Sequence, residues 1–164
     1  AVRHHVGSKY LQTFGGQNHL KPISLDLTVS QEDETEWVMS ELHFSGMRKE
    51  LVEYIEVLSD RQYQEKFWVR QERTVDIQHD ELDYAIHFLF DDTDLARDPN
   101  STIGFILKDA SEVEVISSLI FRIDDVFNKY GTGLTDEQYM ATPEWVDVIF
   151  AAKRALDLFV PQEK

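Results

Sequence analysis

Cysteine is absent from this 164-residue chain, so no disulfide framework, thiolate nucleophile or cysteine-based zinc site can form, and a reducing compartment is permitted. Proline and glycine are sparse, at four and seven residues, and no internal repeat or low-complexity tract is present. No stretch approaches the roughly 18 consecutive apolar residues that mark a membrane span, and the start of the chain lacks the apolar core of a signal peptide. The expectation is a soluble cytoplasmic protein with no membrane association. Also missing are a G-x-S-x-G nucleophile elbow and a glycine-rich phosphate loop. Gly131-Thr132-Gly133 follows a helical pattern instead of leading into one, so it reads as a turn. No catalytic residue is assigned from sequence and no cofactor is expected.

Positive charge is scarce as well. Sixteen basic side chains face 31 acidic ones, a net charge of −15. Self-repulsion on this scale opposes compaction, while the negative field attracts cationic surfaces and raises encounter rates by about 10 to 10³-fold at low salt. Bare nucleic acid is repelled by such a chain, and the partner it favours is a basic protein surface. With 42% hydrophobic and 12% aromatic residues, the chain is too apolar for a disordered acidic tail. At this length one domain buries roughly 68–70% of its unfolded surface and folds without a metal or disulfide. His4, His5, Gly7 and Ser8 have the composition of a vector-derived leader or a truncated upstream segment and carry no functional weight.

Hydrophobic periodicity divides the chain. Ile23, Leu25, Leu27 and Val29 alternate with polar residues as in a half-buried strand. A second strand candidate runs from Trp37 to Phe44, across an acidic connection Ser30–Glu36 that is also compatible with a helix from Glu32. From Met47 the period becomes helical, with Leu51, Tyr54, Ile55 and Leu58 on one face. Ser59 and Asp60 mark the next helix start, ahead of Tyr63, Phe67 and Trp68. After a polar break at Arg70–Thr74, residues Asp80–Phe90 fit a helix, and Tyr84–Phe90 alone also fits a buried strand. Asp98-Pro99-Asn100-Ser101 is turn chemistry, and Ile103–Leu107 reads as a short strand or turn.

The clearest helix is Glu112–Tyr130: Ser111 and Glu114 have capping-box spacing, Val113, Ile116, Ile120, Ile123 and Phe127 form a stripe, and Gly131 stops it. Thr135 and Gln138 repeat the capping-box spacing. Thr142-Pro143 precedes a last helix with Trp145, Ile149, Ala152, Leu156 and Phe159. The expected fold is α+β and predominantly helical: four to five helices packed as one domain over residues 47–164, preceded by an N-terminal arm or β-hairpin over residues 1–46. The arm, with three basic and six acidic side chains, carries −3 and the remainder −12.

Tyr63-Gln64 with Trp68, the run His87-Phe88-Leu89-Phe90-Asp91-Asp92-Thr93, Ile103-Gly104 with Leu107, Glu112–Ile116, and Tyr139 with Pro143-Glu144-Trp145 resemble a family of small uncharacterised bacterial proteins well represented in actinobacteria. The resemblance covers about Met47 to Leu156 and leaves residues 1–46 outside. It implies a single domain in a bacterial intracellular setting and no particular reaction. In size and acidity alone, the chain also resembles the immunity proteins of bacterial toxin systems.

Four groups of residues bear on function. His79, Asp83, His87 and Asp91 are spaced to line one face of a continuous helix, alternating imidazole with carboxylate as a zinc, manganese or iron site would; helix-surface electrostatics accounts for the same spacing. Asp91-Asp92-Thr93-Asp94 offers oxygen ligands but lacks EF-hand spacing, and serves equally as a solvated loop or a protein-facing acidic patch. Glu112, Glu114, Asp124 and Asp125 are explained by capping, the helix dipole and exposed-face composition. Trp68, Trp145, Phe67, Tyr63 and Tyr139 at helical spacing read as core, which leaves Trp37 as the exposed-anchor candidate.

The leading reading is a non-enzymatic protein that binds and masks a basic partner, as an immunity or antitoxin-like inhibitor of a nuclease toxin does, through Glu32, Asp33, Glu34, Glu36, Trp37, Asp91, Asp92 and Asp94. The alternatives are a metal-dependent enzyme or metal-binding protein using His79, Asp83, His87 and Asp91, and a homodimeric structural protein.

Overall fold

The structure, a computed structural model, describes residues 42–160. Among these residues the fold is helical, with six α-helices: α1 (Ser45–Ser59), α2 (Arg61–Gln64), α3 (Leu82–His87), α4 (Ala110–Tyr130), α5 (Asp136–Met140) and α6 (Trp145–Phe159). Two of them run on into wide turns with i→i+5 character, Glu65–Val69 after α2 and Phe88–Asp92 after α3. A 3₁₀ turn, Pro99–Thr102, lies between α3 and α4.

The expected α+β class is therefore corrected. No strand or sheet occurs among the described residues, and Ile103–Leu107 forms only an isolated bridge within a turn. Gly104 at φ +82° reverses the chain there, and the amides of Phe105, Ile106 and Leu107 all return to the Thr102 carbonyl, which leaves none of them free for a ladder. Most of the proposed hairpin, including Ile23–Val29 and Trp37–Glu41, lies outside the described residues. The end of its second strand, Leu42–Phe44, is a turn leading into α1. Tyr84–Phe90 is helical rather than strand. Among the described residues the helices also number six instead of four to five, α2 and α5 being short helices of four and five residues.

Three long helices carry the core, and α6 packs against both α1 and α4. The apolar stripes supply the reason: Leu51, Ile55 and Leu58 from α1, Ile116, Leu119, Ile123 and Val126 from α4, and Trp145, Val148, Ala152 and Ala155 from α6 are all buried. Trp68, Phe67 and Tyr139 are buried with them and Tyr63 packs against their edge, so these aromatics belong to the core. The small residues Ala151, Ala152 and Ala155 give α6 the slim face that a helix contacted on two sides needs.

Helix ends follow capping chemistry. Asp60 accepts from the amides of Gln62 and Tyr63 at the start of α2, and Thr135 with Gln138 forms a reciprocal capping box on α5. At α4 the cap is Asp109, which accepts from Ser111 and Glu112, in place of the expected Ser111–Glu114 box. Gly131 ends α4 at φ +78°, a conformation that costs an L side chain about 1 kcal/mol or more.

Two buried polar clusters tie the helices together. Gln64 donates to the carbonyls of Val57 and Leu58 at 2.9 Å and accepts from the Trp145 indole at 3.0 Å. Arg48 of α1 meets Glu112 of α4 with its guanidinium over the Phe159 ring of α6. Both clusters satisfy their members, and no buried side-chain polar atom among the described residues lacks a hydrogen-bond partner.

Candidate partner-binding groove

The acidic run after α3 is shaped by one hydroxyl. Thr93 is buried, and its Oγ1 donates to the Phe88 carbonyl at 2.9 Å, five residues back, and accepts from the Leu95 amide. That bond holds the last turn wide and breaks the helix at Thr93, which is extended at φ −129°. Asp91 and Asp92 close the wide turn and Asp94 follows the break, and all three line a groove of about 670 Å³ with Phe44, Met47, Arg97, Phe105 and Ile106.

The groove has an aromatic part and an acidic part. Phe44 and Phe105 are stacked with ring centroids 5.7 Å apart, and the His43 ring sits edge-on to both. Their backbones are paired through Phe44 N–H to Phe105 C=O at 2.9 Å and His43 N–H to Gly104 C=O at 3.2 Å. Even so, Phe44 and Phe105 are 47% and 42% exposed, and because they are stacked on each other they form a contiguous apolar surface beside the carboxylates.

The carboxylates differ in how far their charge is already met. Asp91 accepts from His87 at 2.7 Å and Asp94 pairs with Arg97 at 3.3 Å. Asp92 has no ion-pair partner among the described residues. His87 also pairs with Asp83 at 3.2 Å, and these partners, led by the Asp91 hydrogen bond and then the Asp83 charge, hold its pKa above the ordinary histidine value.

The proposed metal face is only partly assembled. Asp83, His87 and Asp91 lie on one side of α3 and its wide turn, but His79 precedes the helix and turns to Glu81 at 3.2 Å. The helix begins three residues after His79, so the spacing of the four does not translate into one face. Among the described residues no group of three or more histidine, aspartate or glutamate side chains is arranged to hold a metal ion. Among the described residues Asp124 bonds only Asn128, and Glu112 is an internal ion-pair partner instead of a helix-dipole residue. Glu32, Asp33, Glu34, Glu36 and Trp37 lie outside the described residues.

A second groove of about 690 Å³ lies between α1 and residues 76–80. Its acidic centre is committed internally: Asp80 accepts from Tyr63 Oη at 2.8 Å and Trp68 Nε1 at 3.0 Å. Burial, then Asp80, pushes the Tyr63 phenol up. Burial, then the Glu50 charge, pushes Tyr54 up to about 12. These phenols are structural donors and do not ionise near neutrality.

Sequence reasoning found the acidic half of the first groove and missed Phe44, Met47, Phe105 and Ile106. The signal available was Gly104 before Phe105, a turn glycine beside an aromatic.

Residues 42–164 match the model of a family described as a domain of unknown function, DUF7945. The chain belongs to the DUF7945 family. The match spans three quarters of the sequence, takes in every helix described above, and begins at Leu42, two residues before the groove's first aromatic. No curated protein and no solved structure matches the chain. No helix of the DUF7945 domain, among the described residues, is long and apolar enough to cross a membrane.

Proposed function

We propose that this DUF7945 protein is a non-enzymatic binding protein that masks a basic surface of another protein, in the manner of an immunity or antitoxin-like inhibitor of a cationic nuclease. The observation that supports the reading is the groove in which Asp91, Asp92 and Asp94 adjoin the exposed Phe44–Phe105 pair. Carboxylates steer a cationic partner and resemble the phosphate pattern it expects, which sets on-rate and specificity. Exposed aromatics supply the apolar anchors that dominate interface energetics. The domain's surplus of acidic side chains extends the attraction beyond contact distance.

The experiment is paired affinity capture from the native lysate at low salt, with the wild-type chain and an Asp91→Asn, Asp92→Asn, Asp94→Asn variant as baits. A basic protein that the variant fails to retain, whose association rate falls steeply as salt rises and whose nuclease activity the chain inhibits, carries the proposal. A partner held equally by both baits, or one whose association rate is indifferent to salt, overturns it. Glu32, Asp33, Glu34 and Glu36 are neutralised, and Trp37 replaced by Ala, in a second variant of the same series.

A further inference from the structure

We infer that the groove's preferred occupant is an arginine side chain of the partner, its guanidinium plane lying on the Phe44–Phe105 pair and its N–H groups on Asp92. The inference rests on the proposed function and specifies the cation it recognises.

Three features of the groove select the ligand. The aromatic pair is stacked and exposed, and two backbone hydrogen bonds between residues 43–44 and 104–105 fix it in place, so its faces are pre-organised. Of the three carboxylates lining the same groove, Asp91 is engaged by His87 and Asp94 by Arg97, which leaves Asp92 as the acceptor whose charge no neighbour among the described residues meets. The buried floor of Ile106, with Thr93 and Thr102 beside it, provides apolar contact, and the groove's own cation, Arg97, is taken up by Asp94. A ligand meeting all three must be positively charged, flat, and weakly hydrated enough to lie on an aromatic ring.

Guanidinium has those properties and ammonium does not. It is planar and delocalised, stacks on aromatic faces, and presents paired donors that match a carboxylate, whereas the lysine head is a compact, strongly hydrated point charge. The same domain uses this combination internally: Arg48 lies over the Phe159 ring at 4.6 Å while Glu112 takes its paired donors at 2.7 and 2.8 Å. In the groove, Phe44 and Phe105 offer the aromatic surface and Asp92 a carboxylate that no ion pair among the described residues takes up, and the partner's arginine is the cation that joins them.

The test is binding of two fluorescently labelled ten-residue peptides, alternating Gly-Arg and alternating Gly-Lys, to the full-length chain at low salt, read by anisotropy. The arginine peptide is expected to bind about two- to five-fold more tightly. Phe44→Leu and Phe105→Leu, made separately so that a folding defect in one leaves the other informative, are expected to abolish that preference, while Asp92→Asn weakens both peptides. Equal affinity of the two peptides for the wild-type chain, or a preference that survives both leucine variants, overturns the arginine assignment and leaves the masking function standing. Failure of both peptides to bind overturns the arginine assignment and the masking function together. A wild-type dimer in sedimentation velocity that Phe105→Leu dissolves would assign the groove to a second copy of the chain and also overturn the inference.

Discussion

Arg48 and Glu112, 64 residues apart in sequence, meet in the interior with guanidinium–carboxylate distances of 2.7 and 2.8 Å, both side chains almost fully enclosed. Glu112 Oε2 also accepts from the Lys108 amide at 2.7 Å, and Arg48 Nη1 donates to the Ile106 carbonyl at 3.0 Å. Removing one partner of such a pair strands a charge out of water and costs about 3–5 kcal/mol. Arg48→Met and Glu112→Leu are each expected to lower the urea midpoint by that equivalent. The double variant Arg48→Met, Glu112→Leu is expected to recover a large part of the loss, and additive losses in the cycle would show that the pair is not coupled.

Gln64 is the other internal hub, and its replacement by Leu tests a different cost. The change keeps the volume but leaves the Trp145 indole N–H and the Leu58 carbonyl without the Gln64 partner, while the Val57 carbonyl keeps the Asp60 amide. Each buried orphan costs about 1–3 kcal/mol. Gln64→Leu is therefore expected to lower Tm well beyond a typical surface substitution, with a shift in Trp145 emission on the same unfolding curve. A Tm within a degree of wild type would contradict the network.

His87 sits between Asp83 and Asp91 on the exposed side of α3. Because its pKa is raised in the folded state, its pairing stabilises the fold below the unfolded value near 6.5, and that contribution disappears as pH rises through the folded value. The Hε1 resonance of His87 is expected to titrate above the ordinary histidine range. Asp91→Asn should lower its midpoint more than Asp83→Asn does, since the Asp91 hydrogen bond is the leading cause.

Asp136 and Glu144 give opposite acid responses. Burial, with Glu81, Asp83 and Asp80 nearby, raises Asp136 despite its bond from the Leu82 amide. It thus binds a proton more tightly when folded, and stability falls as pH rises from the ordinary aspartate range through the raised value. Asp136→Asn retains an acceptor for Leu82 and is expected to leave Tm at pH 7 unchanged or higher, whereas Asp136→Ala lowers it. Glu144, held down to about 2 by Lys129 first and then Tyr130, stabilises above its unfolded value near 4.3 and loses that contribution as pH falls toward 2. Glu144→Gln should flatten that limb of a pH–Tm curve.

The parts of this molecule legible in sequence are those decided locally. Ile116, Ile120 and Ile123 with Gly131 announced α4, and Thr135 with Gln138 announced α5, because periodicity and capping act within a few residues. Glu112 was illegible: at a helix start it has the look of a dipole-compensating residue, and only Arg48, arriving from another helix, makes it a core charge. Phe44 and Phe105 carry strand-like neighbours, Trp37–Phe44 and Ile103–Leu107, and alternation alone does not register that Gly104 turns the chain over. The acidic half of the groove was visible as Asp91-Asp92-Thr93-Asp94, but the function of Thr93, bonding back to Phe88 to splay those carboxylates, depends on a wide turn that composition does not signal.

The walls of the groove come from three stretches, Phe44–Met47, Asp91–Arg97 and Ser101–Ile106, and the Arg48 bond to Ile106 spans 58 residues. No short linear fragment of the chain contains the surface, so an excised acidic peptide spanning Asp91–Asp94 would keep the charge and lose the shape. During synthesis the aromatic lip and the carboxylates emerge before Glu112, the residue that locks α1 to the 106–108 turn. Closing loops of this length precedes any energetic return from the contacts they make, so the groove is completed late in folding, as a property of the finished helix assembly.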